Sequence, residues 1–150
     1  MEAEGRLEAF LGKFTPEICG RAKEAIARLR ARFPGATAFV YDNYNALAVG
    51  FGPGSRPSEA IFSVAVFPRR GALFFLRGVD LPDPSGLLEG GGNQVRSLTL
   101  DTPDRLGDPA VGDLFAAAVA RAARAMPESG GTLVIRSVSA RQRPRRPAKT

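Results

Sequence analysis

The chain has no histidine, no tryptophan and one cysteine, Cys19, in 150 residues. Without imidazole it lacks the commonest general base and the commonest metal ligand together. Zinc sites built on Cys and His are excluded by count, and so is any catalytic triad that needs an imidazole. One thiol cannot close a disulfide within the chain, which fits a reducing compartment and leads us to expect a cytoplasmic protein. No apolar run approaches the ~20 residues that cross a bilayer, so no membrane partner is expected. The stretch "MEAEGRLEAF" is acidic, unlike the basic and then apolar opening of a secretory signal.

Lysine is scarce as well. The basic residues are almost all arginine, a bias that genome composition alone can produce, and the formal net charge is +6. That excess is local. Arg141, Arg143, Arg145, Arg146 and Lys149 fall in a final stretch without a single acid, leaving 16 basic against 15 acidic residues in 1–140. We therefore expect one domain over 1–140 and a basic, disordered tail over 141–150.

An apolar content of 44% in a chain of this length is enough for one core. Leu7, Phe10, Leu11 and Phe14 recur at helical spacing. Thr15-Pro16-Glu17 supplies a hydroxyl cap, a proline for the first turn and an acid for the helix dipole. A second helix should run to about Arg32, with Ile18, Ala22, Ala25, Ile26, Leu29 and Phe33 inward. Cys19 beside that stripe reads as a small buried hydrophobe. Glu17–Arg21 and Glu24–Arg28 are favourable pairs on its outer face.

The period then shortens. Strands are predicted over 36–41, 44–51, 60–67, 72–77 and 93–100, the first four as an antiparallel meander. Residues 78–92 form a long loop. Asp108-Pro109 opens a last helix that Pro127 stops, and 132–138 can add a strand. Helices, then strands, then a helix predict an α+β fold, with an antiparallel sheet of five or six strands and helices on one face.

Gly90-Gly91-Gly92 lacks the Gly-Lys-Ser/Thr of a phosphate loop and precedes a strand, so it reads as a flexible loop. "RRGALFF" (69–75) matches an RNA-binding strand only at Arg70, Gly71 and Phe74, with Phe74 and Phe75 on opposite faces. Asp101, Asp104, Asp108 and Asp113 could offer oxygen ligands, but Asp108 reads as a helix cap and no calcium-loop pattern is present. The chain's two tyrosines, Tyr41 and Tyr44, flank a turn with Asn43 and Asn45, the most site-like polar cluster of the body.

Together, "FVYDNYNALAVGFG", "IFSVAVFP", "ALFFLRG", "GLLEGGGNQVRSLTL" and "VIRSVSARQRPRRP" resemble the YdhG-like family of bacterial domains, related by fold to frataxins. The similarity spans about Leu7 to Pro147. It implies a frataxin-like fold and a largely uncharacterised role, one branch being proposed as an iron chaperone that needs no His or Cys. From the residues and the resemblance we expect a non-enzymatic binding or accessory domain, without catalytic residues or a dedicated metal site. Its ligand would be a small molecule or a protein partner. The expected ligand site is Tyr41, Asn43, Tyr44, Asn93, Gln94 and Arg96, where the first hairpin and the glycine loop could meet. The alternative is nucleic-acid or polyanion binding through Arg141, Arg143, Arg145 and Arg146 of the tail.

Overall fold

In the computed structural model, which describes residues 2–148, Pro16 opens the longest helix, α2 (Pro16–Arg32), after a shorter α1 (Ala3–Leu11). The Thr15 hydroxyl accepts the Ile18 amide at 3.4 Å, a bond typical of an N-cap. α2 buries Ile18, Ala22, Ala25, Ile26 and Leu29 and keeps its charges outside. There Arg21 meets Glu17 at 2.6 Å and Arg28 meets Glu24 at 3.1 Å. Arg30 reaches Glu4 of α1, Arg28 also reaches Asp104, and Lys23 pairs with Glu8. Cys19 is only half-buried against the core, not enclosed as the apolar stripe suggested.

Six strands follow: β1 (Thr37–Asp42), β2 (Leu47–Gly52), β3 (Phe62–Val66), β4 (Gly71–Phe75), β5 (Arg96–Leu100) and β6 (Leu133–Val138), with α3 (Pro109–Ala120) before the last. The sheet order is β5-β4-β3-β2-β1-β6. The first five form an antiparallel meander, and β6 lies parallel to β1 at the edge. The fold is thus α+β with a mixed sheet. Arg136 has no partner in the β1–β6 register, where pairing jumps from Val40–Ile135 to Tyr41–Ser137. A bulge of this kind bends an edge strand away from further pairing.

Alternation decides which side of the sheet is covered. Val40, Val49, Val64, Leu73 and Leu98 stand in one row across five strands and join the core formed by the three helices. Phe115 of α3 meets Phe33, Phe62 and Phe75, with ring centroids 4.8–5.7 Å apart. The opposite face is uncharged on β1–β5 and rich in small residues: Ala48, Gly50, Ser63, Ala65 and Ala72, with Phe39, Tyr41 and Phe74. Phe75 is fully buried while Phe74 is half-buried on this other face, as the alternation requires.

α3 ends at Ala120, short of the stop expected at Pro127. Ala122 and Met126 still pack on the core, but from irregular chain. Asp108 occupies the cap position, but its carboxylate accepts no capping hydrogen bond. No helix is long and apolar enough to cross a membrane, among the described residues.

Candidate functional site

The register gives the sheet two distinct ends. Asp42, Leu47, Val66, Gly71 and Leu100 line up at one, and Ala38, Phe51, Phe62, Phe75 and Arg96 at the other. We call them the hairpin end and the cleft end. They are four residues apart along each strand, roughly 13 Å.

At the hairpin end β1 closes on Asp42, a carboxylate with no exposed surface. Two cations reach it. Arg145 donates Nη2 to Oδ1 at 2.8 Å, and Lys13 donates Nζ to Oδ2 at 2.8 Å. Arg145 is itself only 5% exposed and also donates to the carbonyls of Asn43 and Tyr44. The Gln142 side-chain amide donates to the Asp42 carbonyl at 3.0 Å, and Ser139 N–H donates to the same oxygen at 2.8 Å. Burial pushes the Asp42 carboxyl up. Hydrogen bonds from Lys13, Gln142 and Arg145, with the charge of Lys13, outweigh that and hold it below its ordinary 3.8.

This arrangement corrects the expectation of a loose tail. Residues 139–146 wrap the hairpin end: Arg143 N–H donates to the Tyr44 carbonyl at 2.9 Å, and Arg146 Nε donates to the Lys13 carbonyl at 3.2 Å. A buried acid at the end of an apolar strand needs a countercharge, and Arg145 supplies it. Arg145 is therefore no polyanion contact. Arg141, Arg143 and Arg146 remain exposed. Lys149 lies outside the described residues.

The expected six-residue ligand site does not assemble either. Tyr41, Asn43 and Tyr44 belong to the hairpin end, whereas Asn93, Gln94 and Arg96 belong to the cleft end. β1 and β5 are also separated by three intervening strands, roughly 19 Å across the sheet. Three strands, an odd number, lie between the two loops in this antiparallel meander, so the loops leave from opposite ends. Asn43 accepts a hydrogen bond from the Ser137 hydroxyl at 3.2 Å. Arg96 is a brace and not a ligand contact: its Nη1 donates to the carbonyls of Gly92 at 2.7 Å and Val95 at 2.8 Å.

Arg96 also lies directly on Gly78, where an added Cβ would stand 2.5 Å from the Arg96 Cβ. The long loop is further ordered by Asp83, whose two carboxylate oxygens accept the Leu87 and Leu88 amides at 2.9 Å each. Glu89 and Ser97 exchange backbone hydrogen bonds at 2.8 and 2.9 Å. Asp83 thus clasps the loop, and Asp104 pairs with Arg28. Among the described residues no three acids or thiols gather where they could hold a metal ion.

A concavity with a volume of about 920 Å³ lies at the cleft end. The β2–β3 connection, the chain after β4, the start of β5 and the end of α3 form its walls. Ala60, Ile61, Phe75, Leu81, Val95 and Ala118 make much of its lining apolar. Its charges are ordered in pairs. Arg124 meets Glu59 at 3.2 Å and Arg77 meets Asp80 at 3.2 Å. Arg121 has no carboxylate partner among the described residues; it touches only the Ala117 carbonyl of its own helix, at 3.5 Å. Ser58 and Gln94 add a hydroxyl and an amide. Of the six residues of the expected ligand site, Gln94 alone lines this cleft. Arg121 was missed because it follows an alanine-rich helix like any exposed cation. Only a fold that returns α3 to the β2–β3 connection reveals it.

The chain matches no protein-family model, no curated protein and no solved structure.

Proposed function

We propose that this protein is a non-catalytic, cytoplasmic binding module that takes a small organic anion with an apolar body into the cleft. One observation carries the reading. Arg121 is an unpaired guanidinium on a largely apolar concavity whose other charges cancel in pairs. The apolar lining would cover the body of the ligand, Arg121 would meet its carboxylate or phosphate, and Ser58 and Gln94 would fix its orientation. A binding role also fits the residues available. The carboxylates lining the cleft, Glu59 and Asp80, are already bound to arginines, and Ser58 has no imidazole to activate it. The resemblance to the YdhG-like family supports an accessory role. Its iron-carrying branch depends on acids, and here they are dispersed.

Titration of labelled protein with aromatic and aliphatic carboxylates and phosphate monoesters, followed by NMR, tests the reading. Amide shifts should concentrate at 58–61, 75–81, 94–95 and 118–124. Arg121→Glu should weaken the best ligand at least about tenfold, the value of one charge-assisted hydrogen bond. A ligand that binds Arg121→Glu as well as the parent, or shifts the hairpin end instead, defeats it.

A further inference from the structure

The hairpin end gathers more positive charge than its acids neutralise. Arg69 and Arg70 form the β3–β4 turn, Arg136 stands at the β6 bulge, and Arg141, Arg143 and Arg146 come from the wrapped segment. All six are exposed, and none makes a salt bridge among the described residues. The acid at the centre of this end, Asp42, is buried and already bound by two cations. The contrast with α2 is direct: four of its five cations are paired with acids. This end therefore carries an excess of positive charge on a fixed surface, six exposed arginines beside one exposed acid, Asp101, which follows Leu100 of β5.

Charge alone would fit any polyanion. The rings narrow the choice. The Arg143 guanidinium lies 5.7 Å from the centroid of Tyr44, which is 47% exposed, and Arg70 lies 4.4 Å from that of Phe67. The two pairs sit at neighbouring turns of the same sheet end, since Asp42–Leu47 and Val66–Gly71 are in register. An exposed aromatic or a guanidinium plane can stack an unpaired base, and cations beside it can meet the phosphates. A duplex hides its base faces, and an acidic peptide has none.

We propose that the hairpin end of the sheet binds single-stranded nucleic acid, with Tyr44 and Phe67 as stacking platforms and Arg69, Arg70, Arg136, Arg141, Arg143 and Arg146 as phosphate contacts. The surface is distinct from the cleft, which lies at the other end of the strands. Arg145 takes no part, because it is committed to Asp42.

The test is fluorescence anisotropy of the full chain with a labelled single strand of about 12 nucleotides, a site size common for such surfaces. Six phosphate contacts predict a slope of log affinity against log salt near about −4. Arg69→Glu/Arg70→Glu should weaken binding at least tenfold at low salt and flatten the slope to about −3. Tyr44→Leu should weaken it about tenfold and leave the slope unchanged. Both substitutions are on exposed side chains and keep the core intact; circular dichroism confirms that each variant is folded. The proposal fails if the folded charge-reversal variant binds like the parent. It also fails if Tyr44→Leu has no effect, or if a duplex or heparin binds as tightly as the single strand, because charge alone then explains the affinity.

Discussion

The two ends of the sheet use arginine in opposite ways. At the hairpin end Arg145 is drawn 103 residues along the chain into a buried pair with Asp42, the two side chains 3% and 0% exposed. At the cleft end Arg77 and Arg124 meet their acids on the rim, with side chains 75% and 57% exposed. The ion-pair distances are similar, at 2.8 and 3.2 Å. Burial separates them: an ion pair inside the protein is costly to break on one side, while one in water is nearly free to exchange.

The sharpest way to break that comparison is Asp42→Ala. It leaves the Arg145 guanidinium buried without a countercharge, a change that costs about 3–5 kcal/mol. Arg145→Ala should cost less, about 1.5–3 kcal/mol, because Lys13 continues to neutralise Asp42. Urea unfolding with a common slope measures both. If Asp42→Ala stays within about 1 kcal/mol of the parent, the buried pair is not what holds the wrapped segment down.

Acid titrates the same contrast more gently. The native Asp42 carboxyl lies below its ordinary 3.8, so the unfolded chain takes up this proton more readily than the folded one. Its contribution is therefore complete above the ordinary value and is lost as pH falls through the native value. Melting temperature should drop as pH falls through about 4 toward 3, and Asp42→Asn should flatten that limb. Equal acid limbs in the two proteins would assign the loss to other carboxylates, such as Glu4, which its exposed pair with Arg30 also holds low.

What could be read in the sequence was local. Thr15-Pro16-Glu17 marks the start of α2 within three residues, and alternation puts Phe74 and Phe75 on opposite faces of β4. The Asp42–Arg145 pair leaves no such local trace. Counted along the chain, Arg145 is one of five cations in an acid-free stretch, which made it look like part of a solvated fringe. The signal that was present lay elsewhere, in Asp42 itself: a lone acid closing an apolar strand must find a cation or stay exposed. The failed ligand site has the same origin. Composition gathers Tyr41, Tyr44, Gln94 and Arg96 as polar or aromatic residues near loops, but only strand count decides which end of a meander each loop occupies.

The smallest effect belongs to the cleft rim and completes the comparison from the other side. Arg124→Ala removes a pair whose arginine is more than half exposed, and Glu59 can turn to water when its partner is gone. The cost should be under about 0.5 kcal/mol in the same urea experiment. A loss above about 2 kcal/mol would mean that Arg124 holds the β2–β3 connection through its close approach to Gly54, where an added Cβ would lie 3.5 Å from the guanidinium. The cleft wall would then be a braced element like the hairpin end, and a ligand entering it would have to displace structure and not merely water.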